Sequence, residues 1–176
     1  LLHASRMPIK IDGGAESIIE KYHQEGLETG STIRNKLGDA VKESIKTLAN
    51  EFINHPKNTA LREAMQEVRI NADDYYHHLL RIIYRLLFLF VIEERNLVYA
   101  DSKTPETKRL SSIYFNYYSL LRLRKLAKKL IHPDAHRHYD LWQSLLSTFS
   151  LFEDQEIGKK LGIMALKGDL FHYNAL

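Results

Sequence analysis

The sequence predicts an all-α fold, an irregular helical bundle around one long central buried helix, and three observations carry that expectation. The run LLRIIYRLLFLFVIEERNLV (79–98) is the most apolar stretch of the chain and contains neither Gly nor Pro. Ile33, Leu37, Val41, Ile45, Leu48 and Phe52 recur every three or four positions, the stripe of an amphipathic helix. Period-two alternation is nowhere sustained and no segment repeats, so the bundle has helices to pack on and no sheet.

Taken in order, residues 1–14 end in Asp12-Gly13-Gly14 and read as a tail or connector, leaving 15–176 as a single helical domain. A short helix is expected over 16–24, closing near Gly26. Ser31 then stands as the N-cap of a longer helix to residue 54, with Gly38 a mild weakness and His55-Pro56 the stop. Leu61, Met65 and Val68 mark another short helix. The central helix is expected over 72–97, with Asn71 or Asp73 as N-cap and Asp74 adding negative charge to its first turn. The segment 101–109 has no apolar period and contains Pro105, which reads as a surface loop. Ser119 caps a helix over 120–130, a break follows at 131–138, and Asp140 caps a helix carrying Leu141, Leu145, Phe149 and Phe152. Gly158, Gly162 and Gly168 punctuate a final stretch of short turns.

The central helix splits into two halves. His78, Arg81 and Arg85 fall on one polar strip of the first half, whereas 86–92 is apolar on every face and is expected to be covered all round. Lipid is excluded as the cover, because an uncharged run of that length is far short of the roughly 20 residues a bilayer requires. Glu93 and Glu94 are adjacent and about 100° apart, poorly placed to act as a pair, and Arg85 two turns away is the expected partner of Glu93.

At 176 residues, 44% apolar and 27% charged, the composition is that of one ordinary globular domain. With no Cys there is no disulfide framework, thiolate metal site or cysteine nucleophile, which fits a cytoplasmic protein. The chain opens at Leu1 without the features of a secretory signal and reads as a piece of a longer polypeptide. Its net charge of +3 is unevenly spread: residues 99–138 hold nine Lys or Arg against three Asp or Glu, which is +6 and leaves −3 for the remainder.

That basic excess concentrates on one helix. Leu120, Leu123, Leu126, Ala127 and Leu130 share one arc, while Arg122, Arg124, Lys125, Lys128 and Lys129 share the opposite arc of roughly 160°, with Leu121 the sole apolar intruder. Five cations without a neighbouring acid suit the phosphates of double-stranded DNA; a solvated face, or one docked on an acidic neighbouring domain, is the plainer reading. Tyr114, Phe115, Tyr117 and Tyr118 precede this helix and can stack bases, although such density of aromatics more often serves packing. His132, Asp134, His136 and His138 crowd one turn, but structural zinc wants four fixed ligands, often with Cys, so no metal site is assigned. His77 and His78 are read as ordinary helix residues. Glu106-Thr107-Lys108, with Asp101 upstream, matches the end of a PD-(D/E)xK nuclease motif, which needs a strand to gather two carboxylates and the Lys at a metal; a Pro-containing loop does not provide one. No catalytic or cofactor-binding residue is therefore assigned.

The succession DDYYHHLLRIIYRLLFLFVIEERNLV (73–98), YYSLLRLRKLAKKL (117–130), DLWQSLLSTF (140–149) and LGIMALKGDLF (161–171) resembles the helical segment upstream of the methyltransferase core in type IIG restriction-modification enzymes and in BREX and DISARM phage-defence methylases. GLETGSTIRNKLGDAVKESIKTLANEFINHP (26–56) is similar to the helix leading into that region, so the resemblance spans roughly 20–172. It implies a bacterial or archaeal parent with an S-adenosylmethionine-dependent adenine methyltransferase downstream and, in many members, a Mg-dependent nuclease upstream. The chain itself holds no Asn-Pro-Pro-aromatic motif for an extruded adenine and no glycine-rich cofactor loop after a strand. The expectation is a non-catalytic helical domain that positions the other domains of its parent and touches DNA phosphates, without cofactor or membrane. The alternative is a stand-alone helical module that binds protein.

Overall fold

The computed structural model describes residues 18–99, 104–129, 139–166 and 168–172, and every regular element among them is helical. Residues 1–46 and 47–176 form two separate units. The expected tail, the 131–138 break with its histidines, Asp101 and Leu130 lie outside the described residues.

In the first unit, the expected short helix and its successor are one. Helix α1, Ile18–Asn54, passes through Gly26, Gly30 and Gly38 without interruption. Each glycine costs helix propensity, about 1 kcal/mol relative to Ala, yet none brings a break by itself when its neighbours are good helix formers. Ser31 does not cap: its Oγ donates to the Glu28 carbonyl one turn back, at 2.9 Å. Exposed pairs such as Lys46–Glu43 at 2.8 Å line the same helix.

In the second unit, the last turn of α1 is closed by a side chain. The Arg62 guanidinium, from α2 (Thr59–Gln66), donates to the carbonyls of Ile53 and His55 at 2.8 Å and of Pro56 at 3.2 Å, satisfying groups the helix end leaves free. Val68 does not join the apolar stripe of α2. It takes φ +57° just past the helix end, a left-handed position costly for a β-branched residue, and is 75% exposed.

Helix α3, Ala72–Glu94, starts as expected, with the Asn71 side chain accepting from the Asp74 N–H at 2.8 Å. It stops short of residue 97 because Asn96 turns left-handed at φ +54°, and the Leu97 N–H closes on the Ile92 carbonyl at 2.8 Å. Leu89 is fully enclosed, and around it pack Tyr99, Tyr114, Leu120, Phe149, Phe152 and Phe171. The all-round burial expected for 86–92 does not hold: Phe88 is 38% and Val91 49% exposed. Nor is Arg85 part of a surface strip. It is wholly buried, as is Glu93, and both bond to other segments of the unit. Among the described residues α3 alone has the length and hydropathy to cross a bilayer, and its two buried charged side chains, Arg85 and Glu93, are satisfied by protein.

The segment expected as a loop contains a helix, α4, Pro105–Ile113. Pro105 sits in its first turn, where the absent N–H is no loss, and Thr104 Oγ1 accepts from the Thr107 N–H at 3.1 Å. A π-helical turn, Tyr114–Tyr118, leads into α5, Leu120–Lys129, whose N-terminus Ser119 caps as expected by accepting from the Arg122 N–H at 3.2 Å. Helix α6, Asp140–Glu153, and the short α7, Gln155–Lys159, complete the bundle. Gly158 is required by a close approach, since a Cβ there would lie 2.4 Å from the Leu151 carbonyl oxygen. The chain then runs in turns, with Gly162 at φ +68° and Gly168 at φ +144°.

Candidate nucleic-acid interface

The basic helix is held from beneath by one carboxylate. Glu93, near the end of α3, is 1% exposed. Its Oε1 accepts from Tyr114 Oη at 2.7 Å and from the Leu120 N–H at 2.8 Å, while Oε2 accepts from the Leu121 N–H at 2.9 Å. Those amides are the first of α5, so an acid occupies the positive end of the helix dipole and satisfies donors that the helix itself cannot. Burial, with Glu93 beside it, pushes the Tyr114 phenol far above its ordinary range and keeps it a donor. Thr148 of α6 donates to the Tyr118 carbonyl, fixing the π-helical turn from the other side.

The expected Glu93–Arg85 pair does not form. Arg85 pairs with Glu153 of α6 and donates through Nε to the Leu170 carbonyl at 2.6 Å and through a terminal nitrogen to the His172 carbonyl at 3.3 Å. Its guanidinium carbon lies 5.3 Å from the ring centres of both Phe149 and Phe171. Burial lowers its pKa from the ordinary arginine value, and Glu153 opposes the shift. Arg85, Leu89 and Glu93 thus follow one another at successive turns as a fully buried row, with two charges wired to different elements.

With α5 fixed in this way, its buried arc is Leu120 and Leu123, Leu126 is half-buried, and Arg124, Lys125, Lys128 and Lys129 are exposed. Arg122 is half-buried and donates back to the Tyr117 carbonyl at 3.1 Å. Arg124 leans over Phe90, 6.0 Å from ring centre to guanidinium carbon. Lys125, Lys128 and Lys129 make no ion pair among the described residues. Lys128 and Lys129 also lie in the last turn of α5, where positive charge favours the helix.

The aromatic cluster separates. Tyr114 is core, Phe115 and Tyr118 are half-buried, and Tyr117 alone of the four presents most of its surface to solvent. The nuclease-like residues are not gathered: Glu106 and Lys108 stand on a helix, and Glu106 is engaged by Arg109 at 2.8 Å, a hydrogen bond that holds its carboxyl below the usual range. His77 is an exposed helix residue whose Nδ1 lies 2.8 Å from the Asp73 carbonyl oxygen. Among the described residues no three His, Asp or Glu side chains group as a metal site would require. Sequence reasoning missed Glu93 as the residue that positions the basic helix and Arg85 as the tie to α6 and the final turns. The signal available was their i, i+8 spacing across Leu89 in an otherwise apolar run. No protein-family model, curated protein or solved structure matches the chain.

Proposed function

We propose that this chain is a non-catalytic helical domain of a cytoplasmic DNA adenine methyltransferase of the restriction-modification or phage-defence type, positioning its catalytic domains and touching DNA phosphates through α5. The observation that carries the DNA contact is the exposed cationic face of Arg124, Lys125, Lys128 and Lys129, on a helix whose start is pinned to the core by Glu93. Cations without ion-pair partners among the described residues, on a helix fixed at its start, can meet phosphates without reading bases. The methyltransferase assignment rests on the sequence resemblance, which also places S-adenosylmethionine and Mg in the parent rather than here.

Titration of a labelled duplex at about 50 and 200 mM salt tests the contact: four phosphate contacts make the affinity fall by about two decades between them. Replacing Lys125 and Lys129 by Glu weakens binding at least about tenfold with the melting temperature unchanged within about 2 °C, because both side chains are exposed and lie off the buried arc. Absence of binding at the lower salt overturns the DNA contact. A second reading, a helical module that binds protein, draws support from an apolar groove of about 410 Å³ at Phe88, Leu97 and Met164, and it expects no duplex binding at either salt.

A further inference from the structure

A second groove lies beside the basic helix, walled by α3, α5 and α6. It measures about 280 Å³, and among the described residues its lining is apolar apart from Arg124. Phe90 and Trp142 give it aromatic walls, Leu123 and Leu145 line it too, and Ala127 is a small exposed residue of its lining. Trp142 is fixed from behind by Phe52, edge to face at 5.2 Å, so the groove is preformed. The volume falls just below the range of about 300–1,000 Å³ typical of small-molecule sites, and among the described residues the walls offer no convergent hydrogen-bonding groups of the kind that read a base edge or a cofactor. It suits one large apolar side chain.

Charge selects what carries that side chain. On α5, Arg124 and Lys128 are one turn apart on the flank nearest the groove, and neither has an ion-pair partner among the described residues. We propose that the groove seats a single aromatic or leucine side chain of an acidic amphipathic helix from another protein or domain, with Arg124 and Lys128 facing carboxylates one turn apart on that helix. The apolar anchor supplies most of the affinity and the cations set orientation. Arg124 and Lys128 also belong to the cationic face proposed to meet DNA, so the two contacts are told apart by the apolar anchor and by Lys125 and Lys129, which do not line the groove.

Trp142 is the only tryptophan in the chain, which makes the groove its own reporter. The probe is a synthetic helical peptide of about 14 residues of Ala and Glu with one central Phe, titrated while Trp142 emission is followed at about 50 mM salt. The expected result is a saturable change in emission, with affinity falling about tenfold or more when the Phe is replaced by Ala. Ala127→Phe fills the groove and removes peptide binding while leaving duplex binding intact. Should that variant fail to fold, Arg124→Glu, at an exposed site, weakens the peptide by about tenfold. Equal binding of the Phe and Ala peptides means attraction by charge alone and overturns the proposal. So does unmoved Trp142 emission, or an emission change produced instead by single-stranded oligothymidine, which would make the occupant a stacked base.

Discussion

Removing the Glu93 carboxylate tests whether one buried acid holds the basic helix in place. In Glu93→Ala, three donors lose their acceptor at once: the phenol of Tyr114, wholly buried, and the amides of Leu120 and Leu121. Each buried donor left unsatisfied costs about 1–3 kcal/mol, and water entering the cavity recovers part of that, so a net loss of roughly 3–6 kcal/mol is expected. Against a total stability of about 5–15 kcal/mol this is severe, and at about 2–4 °C per kcal/mol it lowers the melting temperature by roughly 10–20 °C. Glu93→Gln is milder. Its amide oxygen keeps the Tyr114 and Leu120 bonds, but its NH2 then faces the Leu121 N–H, one donor against another, at about 1–3 kcal/mol. The neighbouring Glu94→Ala, at an exposed position, stays within about 0.5 kcal/mol of the parent. Urea unfolding gives the energies, and hydrogen exchange localises them, since the Leu121 amide must exchange faster in Glu93→Gln, and those of Leu120 and Leu121 both in Glu93→Ala. A Glu93→Ala protein that melts within about 2 °C of the parent, with those amides still protected, refutes the reasoning.

Two further perturbations separate the other parts of the core. Arg85→Met strips the donor from the carbonyls of Leu170 and His172 and the partner from Glu153, and costs about 3 kcal/mol in urea unfolding; deuterium exchange then speeds up in 168–172 but not at the start of α5, the reverse of Glu93→Gln. Alkaline pH acts through phenols: burial raises Tyr99 to about 12 from its ordinary 10.0, and Tyr114 is raised too, so both favour the protonated folded form. That stability is full below pH 10.0 and is lost as pH rises through 12, by up to about 1.4 kcal/mol per pH unit per phenol; Tyr99→Phe flattens the fall in melting temperature over that window.

What the sequence made readable was whatever short-range physics decides. The Asn71 and Ser119 caps depend on residues within a turn and stand as read, whereas the stripe of α1 is helical but exposed at Ile33 and Leu37, and on α5 Arg122 is half-buried and Ala127 exposed. Pro105 was misjudged because the same residue ends a helix from inside and opens one at its first turn; Thr104 just before it was the sign that favoured opening. Gly26 was misjudged in the opposite sense, as a stop where α1 continues. The wiring of Arg85 and Glu93 was beyond reach, because their partners lie 21–87 residues away and no local pattern names them. The uncovered Phe88 and Val91 follow from the same limit: an apolar helix face shows that cover is wanted, not which faces this unit supplies.

The buried Glu93 also explains why α5 presents its cations outward instead of rolling them against the core. The apolar arc of α5 is short, with only Leu120 and Leu123 fully buried, and hydrophobic burial is non-directional. A helix of ten residues held by two leucines has little to fix its rotation. Hydrogen bonds supply what burial lacks, since Glu93 can meet the Leu120 and Leu121 amides together only when the start of α5 points at the end of α3. The Ser119 cap and the Thr148 contact to the Tyr118 carbonyl fix the preceding turn, and Arg122 folds back on Tyr117. Rotation and axis are thereby set at one end by polar contacts, and Arg124, Lys125, Lys128 and Lys129 are carried outward from it. A surface meant to meet a rigid, regularly charged partner gains from such preorganisation, because side chains already placed lose less freedom on binding.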